Sequence, residues 1–409
     1  MESKPPLPKY ILRGHTSTIH ALEFFASNEL LVSGDGDGWV IVWNVSSKRP
    51  VAVWHAHKGG VMQIKPWGDG RLVTHGRDHA LRVWQVRPDD YARLSTKLPS
   101  EDTDQDKHLQ PWLLHSLAVN ALNFCPFAIC EQRQHGLDST ALETPAPQLI
   151  ASPNGLDQGG VDLFQLPSEH RISQLKSDPK VNTGMVMAVQ IFYDDALSRL
   201  MLISGYEDGQ VMVHVYQGEM DSQTPPQETG KWVRVMQHKP HSQPVLSLSV
   251  VPSKNYLITS SADATIARFA LEILQGHDSP VTRHNADKVI NTKHAGQQGL
   301  SVRSDGKIFA TAGWDSRVRV YSSKTMQELA VLKWHKDGCY ATAFANVGEG
   351  ESERTSPSWP GMTESTSRGV ARIPSALETI KHDREEKARR THWLAAGGKD
   401  GKISLWDVF

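Results

Sequence analysis

Residues 30–44 read Leu-Leu-Val-Ser-Gly-Asp-Gly-Asp-Gly-Trp-Val-Ile-Val-Trp-Asn, two short apolar runs joined by small and acidic residues. The Asp37–Gly38 pair between the runs is a strong hairpin signal, because glycine readily adopts the left-handed backbone that a tight turn needs. A third apolar run, Thr18–Phe24, comes before them, and Gly14–His15 comes before that run. The stretch therefore predicts a unit of three short antiparallel strands with a Gly-His pair in front.

The same unit recurs along the chain, which is the signature of a repeat architecture. Four further copies begin at His57, His241, His294 and His335. Two degenerate copies occupy residues 119–164 and 202–214. In the first of these, Val119–Phe124 is the predicted first strand and Gln158 stands in the place of the turn aspartate. The sequence therefore predicts seven units.

Four side-chain types recur within the units: a His before the first strand, a Ser or Thr on the second, an Asp in the turn and a Trp on the third. In series they can form one hydrogen-bonded chain, which a buried carboxylate requires. The histidines follow the repeat and do not converge on one site, so we interpret them as scaffold and not as metal ligands or catalytic bases. The predicted network residues are His15, Ser33, Asp37, Trp43, His57, Thr74, Asp78, Trp84, Asp208, Asp263, Asp315, Asp400 and Trp406.

The two ends of the repeat pattern carry its family resemblance. Gly14–His15 and Trp406–Asp407 resemble the namesake pairs of the WD-repeat family. That resemblance implies a propeller with four strands in each blade, closed into a ring that protects its sheet edges. The last unit stops after its third strand, so the apolar stretch Tyr10–Arg13 is expected to supply the fourth and close the ring. The expected fold class is all-β, a seven-bladed propeller that spans residues 1–409 as a single domain.

Two insertions interrupt the repeat, and function on a rigid scaffold usually lies on such loops. Residues 87–111 form an acidic connection between the second and third blades. Residues 347–391 separate the first two strands of the last blade, and their polar front half predicts disorder. Their rear half, Ser375–Arg390, has a capping-box spacing and opposite charges one turn apart, which predicts a short helix. Two interpretations of that helix stay open, a solvated spacer and a docking element for a partner.

Composition and motifs argue against several classes of function. Lys and Arg number 44 and Asp and Glu 45, a formal net charge of −1, which argues against a broad basic surface for nucleic acid or membrane. Cys125, Cys130 and Cys339 match neither a disulfide framework nor a zinc pattern. The chain has no phosphate-binding-loop, zinc-protease or serine-hydrolase motif. We therefore expect no catalytic residue, no cofactor, no metal and no enzyme activity.

Positions that vary within the repeat point to a contact face. In the WD-repeat family, the residue before each turn Asp and the second residue of each first strand line the narrow end of the ring. Trp and Arg are typical anchors of protein interfaces, so Trp314 is the first choice for an exposed anchor, although its ring could instead cover a neighbouring turn. The candidate face consists of His20, Met62, Arg77, Asn120, Met187, Glu207, Leu246, Trp314, Tyr340 and Lys399.

Three segments carry a closer resemblance, Asn291–Tyr321, Leu332–Tyr340 and Leu394–Asp407. They resemble a fungal group of ASTRA-associated propellers, related to the G-protein β-subunit-like propellers of animals. The resemblance implies a nuclear, monomeric propeller within a hetero-complex, with other ASTRA subunits and the Tel–Tti co-chaperone group as protein partners. It implies a scaffold role in chromatin remodelling and in the maturation of phosphatidylinositol-3-kinase-related kinases. A second hypothesis is a reader of histone tails or other short peptides on the narrow face.

Overall fold

Seven antiparallel sheets of four strands each make up the fold of the residues that the computed structural model describes. Those residues are 6–68, 70–101, 108–120, 125–133, 146–195, 198–218, 231–271, 285–348 and 376–408. Six of the sheets consist of four strands that are consecutive in the chain. The seventh combines the first strand of the chain with the last three, in the order β1-β28-β27-β26.

The strands are short, four to eight residues long. The first thirteen are β1 (Tyr10–Arg13), β2 (Ile19–Phe25), β3 (Leu30–Asp35), β4 (Trp39–Asn44), β5 (Arg49–His55), β6 (Val61–Pro66), β7 (Arg71–Gly76), β8 (Ala80–Gln85), β9 (Trp112–Ala118), β10 (Ala128–Glu131), β11 (Gln148–Pro153), β12 (Val161–Leu166) and β13 (His170–Leu175). The others are β14 (Val186–Tyr193), β15 (Leu200–Tyr206), β16 (Val211–Gln217), β17 (Lys231–His238), β18 (Val245–Val250), β19 (Tyr256–Ser261), β20 (Thr265–Ala270), β21 (Lys288–Asn291), β22 (Gln297–Val302), β23 (Ile308–Gly313), β24 (Arg317–Ser322), β25 (Glu328–Lys333), β26 (Cys339–Phe344), β27 (Trp393–Gly398) and β28 (Lys402–Asp407).

The sheets pack face to face around an axis. Their innermost strands, which are the first strands of the seven blades, are β2, β6, β10, β14, β18, β22 and β26. Each sheet is covered on both faces, so its second strand reads as an unbroken apolar and small-residue run: every residue of β3 and of β27 is buried. Between the first two blades, Val40 and Trp54 of one sheet pack against Ile64 and Trp84 of the next. The core is thus divided into layers between neighbouring blades.

The N-terminal strand closes the ring, as the sequence predicted. β1 pairs with β28 in the register Tyr10 to Leu405 through Arg13 to Lys402. Leu12 is 2% exposed between the last and first blades, and the Lys9 amide donates to the Leu405 carbonyl at 2.7 Å. The predicted fold class, a seven-bladed all-β propeller with a helix inserted in its last blade, is confirmed.

Turn glycines bring neighbouring blades together. Gly38 has a φ of +92°, and a Cβ atom there would lie 1.9 Å from the carbonyl oxygen of His57 in the next blade. Gly401 repeats the arrangement against His15, with a φ of +69° and a distance of 2.6 Å. A larger residue would therefore force adjacent blades apart. The Asp-Gly pairs that signal hairpins in the sequence are also points of contact between blades.

The third blade departs from the predicted alignment. Its first strand is β10, whereas the sequence pattern assigned that strand to Val119–Phe124. Residues 119–120 follow β9 directly, and residues 121–124 lie outside the described residues. The pattern of apolar and polar residues at 119–124 favoured that segment, whereas β10 has three apolar residues in a row and does not alternate.

The two insertions differ in structure. Residues 88–101 of the 87–111 connection contain two 3₁₀ turns, Pro88–Arg93 and Pro99–Glu101, and they pack on the first blade. Its acidic stretch at 102–107 lies outside the described residues. In the 347–391 insertion, helix α1 spans Ala376–Arg390, while 349–372 and the capping Ser375 lie outside them. None of the helices that the structure describes has the length and apolarity to cross a bilayer.

Candidate functional site

The second blade shows the complete polar network. Trp84 Nε1 donates to Thr74 Oγ1 at 2.9 Å, the hydroxyl lies 2.7 Å from His57 Nε2, and His57 Nδ1 lies 2.8 Å from Asp78. Burial lowers the pKa of His57, although Asp78 opposes that shift. Burial also raises the pKa of Asp78, but hydrogen bonds from His57 and Arg82 outweigh it and hold this pKa well below its usual range. The network therefore contains a neutral imidazole beside a charged carboxylate, inside one sheet.

The first blade corrects one predicted residue. His15 lies 2.7 Å from Ser33 and Trp43 donates to Ser33 at 2.8 Å, but the carboxylate on His15 belongs to Asp35, at 2.7 Å, and not to Asp37. Asp35 is fully buried and Asp37 is exposed. Asp37 follows Ser33 at the same spacing as Asp78 follows Thr74, so the sequences align these two aspartates. In that alignment Asp35 corresponds to Gly76. The two-residue shift places the carboxylate at the end of β3, where it reaches the same imidazole.

The last blade moves its hydroxyl to the other strand. Ser404 Oγ lies 2.9 Å from His335 Nε2 and accepts from Trp406 Nε1 at 2.8 Å. Ser404 is on β28, directly opposite Ala396 on β27, where the other blades have their Ser or Thr. Asp400 lies 3.4 Å from His335. The sequence pattern did not predict Ser404, because it placed the network hydroxyl on the second strand of each blade.

The fifth blade contains a variant network in which a second hydroxyl intervenes. His241 binds Thr259 at 2.9 Å and Thr265 at 2.8 Å, and Asp263 holds Thr265 at 2.6 Å. Asp263 itself is 3.4 Å from His241. The pKa of Asp263 is well below its usual range, because hydrogen bonds from His241 and Thr265 outweigh its burial.

The fourth and sixth blades have only parts of the network. Asp208 binds Gln210 at 2.7 Å, and His214 stands where other blades have Trp. Asp315 binds Arg319 at 2.6 Å. Thr311 donates to Gln297 at 2.8 Å, so Gln297 on the first strand makes the hydrogen bond that was expected of His294, which is exposed.

These networks lie in separate sheets. No group of three or more potential metal ligands converges within the part of the chain that the structure describes.

A central cavity offers a different kind of site. It has a volume of about 530 Å³ and is lined by residues from the inner segments of all seven blades. Five first strands contain a β-bulge immediately after their first residue. A bulge re-aims the extra side chain and is common beside functional sites. The five bulge residues, hereafter the mouth ring, are His20, Met62, Met187, Leu246 and Tyr340.

The residues after the second strands lie at the same end of the ring. In six blades the amide of this residue donates to a carbonyl just before the first strand, as from Arg77 to Gly60 at 2.9 Å and from Trp314 to Gly296 at 3.0 Å. Because the first two strands are antiparallel, this bond places the turn residue beside the mouth ring. Both sets of variable residues therefore surround one opening of the cavity.

Sequence comparison identifies the family. The sequence model of the family described as ASTRA-associated protein 1 matches residues 8–406. The chain belongs to the ASTRA-associated protein 1 family. It is 48% identical to the ASTRA-associated protein 1 of Aspergillus niger, over 99% of this chain and 98% of that protein. The Penicillium rubens protein of that name is 46% identical over the same shares, and the Schizosaccharomyces pombe protein is 33% identical over 83% of this chain and 93% of its own. The resemblance drawn from the three segments is confirmed.

In this ASTRA-associated protein 1 family member, the predicted face falls into two parts. His20, Met62, Arg77, Leu246 and Tyr340 line the cavity. The four residues that belong to the same end of the ring but do not line the cavity are Met187, Glu207, Trp314 and Lys399. Asn120 does not line the cavity. Its amide nitrogen donates at 3.0 Å to the carbonyl of Asn154, the residue that follows the third blade's second strand.

Trp314 combines the two interpretations that the sequence left open. Its indole lies over Gly296, where a Cβ atom would come within 2.2 Å of the ring, so it covers a turn. It is nevertheless 44% exposed, and its Nε1 donates to Gln298 Oε1 at 3.0 Å. Gln298 lines the cavity and is the sixth blade's counterpart of His20, since Gln297 pairs with Gly313 as Ile19 pairs with Asp35. The sequence search missed Gln298, although its position one residue into the first strand was the available signal.

The electrostatics of the opening are mild. His20 packs edge-on against Tyr340 with ring centroids 5.7 Å apart. Burial lowers the pKa of His20 and Arg77 lowers it further, while Asp35 partly opposes both. The opening therefore presents a neutral imidazole, one tyrosine and three apolar side chains, with the charges of Arg77, Glu207 and Lys399 around them. Such a surface suits protein contacts better than charge-driven binding of a polyanion.

Proposed function

We propose that this protein is a protein-interaction subunit of the ASTRA assembly and that it catalyses no reaction itself. The observation that carries the proposal is the family match from residue 8 to residue 406, together with the bulge-directed opening of the ring. The His and Asp side chains of the networks in the first, second, fifth and last blades are committed to hydrogen bonds inside single sheets. A propeller of this kind contributes surface and rigidity to an assembly, and chemistry is left to other subunits.

The finer parts of the proposal concern place and partners. We propose a nuclear location, contacts with other ASTRA subunits and with the Tel–Tti co-chaperone group, and roles in chromatin remodelling and in the maturation of phosphatidylinositol-3-kinase-related kinases. The support is the names of the relatives and the chemistry of the mouth ring. Met62 and Met187 are flexible apolar side chains that adapt to a partner, and Tyr340 offers a rigid ring.

Affinity purification from fungal cells tests this proposal. A tagged copy replaces the endogenous protein, and nuclear extract is fractionated and analysed by mass spectrometry. We expect the other ASTRA subunits and the Tel–Tti group to co-purify in stoichiometric amounts. Recovery of the bait alone from an extract in which those subunits are intact would overturn the proposal.

The cavity supports a second candidate, a reader of histone tails or other short peptides. A cavity of about 530 Å³ is within the size range of small-ligand sites, and Trp314 stands exposed near it. Calorimetric titration with histone-tail peptides should then show micromolar binding that Trp314→Ala abolishes. Binding that survives Trp314→Ala unchanged, or no binding at all, would exclude this candidate.

A further inference from the structure

Helix α1 is attached to the propeller at one end. Ala388 is buried beside Trp393, whose Nε1 donates to the Ala388 carbonyl at 2.8 Å. Asn28 donates to the carbonyl of Arg389 at 3.3 Å, and the Arg389 side chain pairs with Glu29 at 3.5 Å. The last turn of the helix is therefore held by the first and last blades.

The other end of α1 leaves the propeller. Every residue from 377 to 384 is exposed, including Leu377 at 79% and Ile380 at 48%. Residues three, four and seven apart lie on one side of a helix, so Leu377, Ile380, Arg384 and Ala388 share a face. The face that is buried at Ala388 thus continues beyond the propeller as an uncovered apolar pair.

Charge is distributed unequally around α1. At 100° per residue, Lys381, Arg384 and Lys387 lie within about 70° of the centre of the apolar pair. Asp383 and Glu385 lie about 90–110° from it, and Glu378 and Glu386 lie on the far side. Glu386 is paired with Arg390 at 2.6 Å, and Lys381 is 3.9 Å from Glu385. Arg384 and Lys387 form no ion pair with any residue in the described part of the chain. The apolar pair therefore has basic borders.

We propose that this face of α1, the α1 stripe (Leu377, Ile380, Lys381, Arg384 and Lys387), docks an acidic amphipathic helix of a partner protein. The apolar pair would fill the groove between two turns of that helix, and its Asp or Glu side chains would neutralise the three basic groups. The attached last turn holds the stripe in place before binding, which lowers the entropy that association costs. Two apolar residues are too few for stable insertion in a membrane, and an apolar centre does not suit a phosphate backbone.

The stripe's chemistry can be tested on the full chain without any other subunit. The probe is a fluorescent synthetic helix of about 20 residues with Leu on one face and Glu beside it, and the comparison peptide has Lys in place of Glu. Fluorescence anisotropy should show about tenfold tighter binding of the acidic peptide. Leu377→Ala/Ile380→Ala and Arg384→Glu/Lys387→Glu should each weaken it about tenfold.

The matched control is His382→Ala, which truncates an exposed residue on the far side of the same helix. It should bind the acidic peptide like the unaltered chain. Equal affinity for both peptides, an equal loss in the control, or preferential binding to phosphatidylserine vesicles would overturn the proposal.

A second experiment identifies the occupant, and this part rests on the proposed function. Cys125 and Cys339 are fully buried, and Cys130→Ser removes the partly exposed third thiol, so Leu377→Cys then provides the accessible thiol for a photo-crosslinker, with His382→Cys as its control. In the purified assembly, position 377 should crosslink to an acidic helix of another subunit and position 382 should not. Crosslinks to this chain's own residues or to a second copy would refute the docking proposal. Absence of every other subunit from the purification would refute the proposed function instead, and the peptide result would stand by itself.

Discussion

The Asp35 side chain has three hydrogen-bond partners in the first blade. Its carboxylate binds His15 at 2.7 Å and accepts hydrogen bonds from the amides of Asp37 and Trp39, both at 3.0 Å. The group is fully buried, so each donor depends on it for a partner. Its neighbour Asp37 is exposed, and its carboxylate meets only Thr16, at a marginal 3.5 Å, among the residues described.

Replacing these two aspartates separately should therefore give different results. Asp35→Ala leaves three buried donors without an acceptor and should lower the free energy of unfolding by about 2–4 kcal/mol. Asp37→Ala, the matched control, should change it by less than about 0.5 kcal/mol. Urea unfolding followed by tryptophan fluorescence measures both. A larger loss in the free energy of unfolding for Asp37→Ala than for Asp35→Ala would show that Asp37, the residue that the repeat spacing indicated, belongs to the network.

His75, which lies between the second and third blades, is expected to make the fold sensitive to acid. Neither ring nitrogen meets a hydrogen-bond partner among the described residues, and the side chain is fully buried beside Phe127. Burial is the main cause that lowers the pKa of His75 to about 3. Between pH 6.5 and pH 3 the unfolded chain therefore binds a proton here that the folded chain does not. The free energy of unfolding must fall as the pH drops through that window.

His75→Leu should remove this acid sensitivity at nearly constant volume. Between pH 7.5 and pH 5 the unaltered protein should lose about 2 kcal/mol more stability than the variant. Urea midpoints at the two pH values measure the difference, with the exposed His170→Leu as a control that keeps the full loss. Equal losses in His75→Leu and the unaltered protein would show that His75 is solvated or paired.

At the scale of strands, the network hydroxyl of the last blade lies on β28, at Ser404, and not at the facing position on β27. Ser404→Ala should cost about 2 kcal/mol, because His335 and Trp406 both lose the hydroxyl. Adding Ala396→Ser should recover most of that loss, since position 396 faces position 404 and holds the hydroxyl in other blades. Adding Ala395→Ser, one residue along and on the opposite face of β27, should not. The melting temperatures of the three variants measure the recovery. Equal recovery from both additions would contradict this placement of the hydroxyl.

β1 is expected to determine the stability of the ring. Deleting residues 1–13 removes the buried Leu12 and leaves β28 as an open edge, so the melting temperature should fall by about 5–10 °C. Deleting residues 1–7 keeps β1 and should leave the melting temperature within about 1 °C. Differential scanning fluorimetry compares the two. An unchanged melt for the longer deletion would mean that three strands suffice for the last blade.

Elements with strong local signals were predictable from the sequence. The Asp-Gly turns and the paired charges of α1 act within a few residues, so spacing alone indicated them. Partner choice across a sheet was not predictable in the same way. Asp35 instead of Asp37 and Ser404 instead of a residue on β27 depend on which atoms meet in three dimensions. The same holds for Gln297, which accepts the hydrogen bond from Thr311 that was expected to involve His294.

At the scale of the whole molecule, the ring and its closure followed from the count of units and the position of Tyr10–Arg13. The mouth ring was predicted in outline, because the second residue of each first strand is defined by the repeat. The bulges that aim those side chains leave no mark in a single sequence. The cavity arises only when all seven first strands are assembled around the axis.

We propose two separate roles within the chain: polar networks hold the blades together, and the mouth ring with its surrounding turns binds partners. Met62→Asp/Leu246→Asp places two charges at the mouth ring without touching a network. Val289→Asp/Leu329→Asp, the control, places two charges on exposed positions of outer strands β21 and β25, which are 49% and 44% exposed. Both variants should melt like the unaltered protein.

The most direct test is the amount of other ASTRA subunits captured per molecule of tagged bait, measured by quantitative mass spectrometry for these two variants. The mouth-ring variant should lose at least one subunit by about tenfold while the control captures all of them at the unaltered level. Full capture by the mouth-ring variant, at an unchanged melting temperature, would contradict the account.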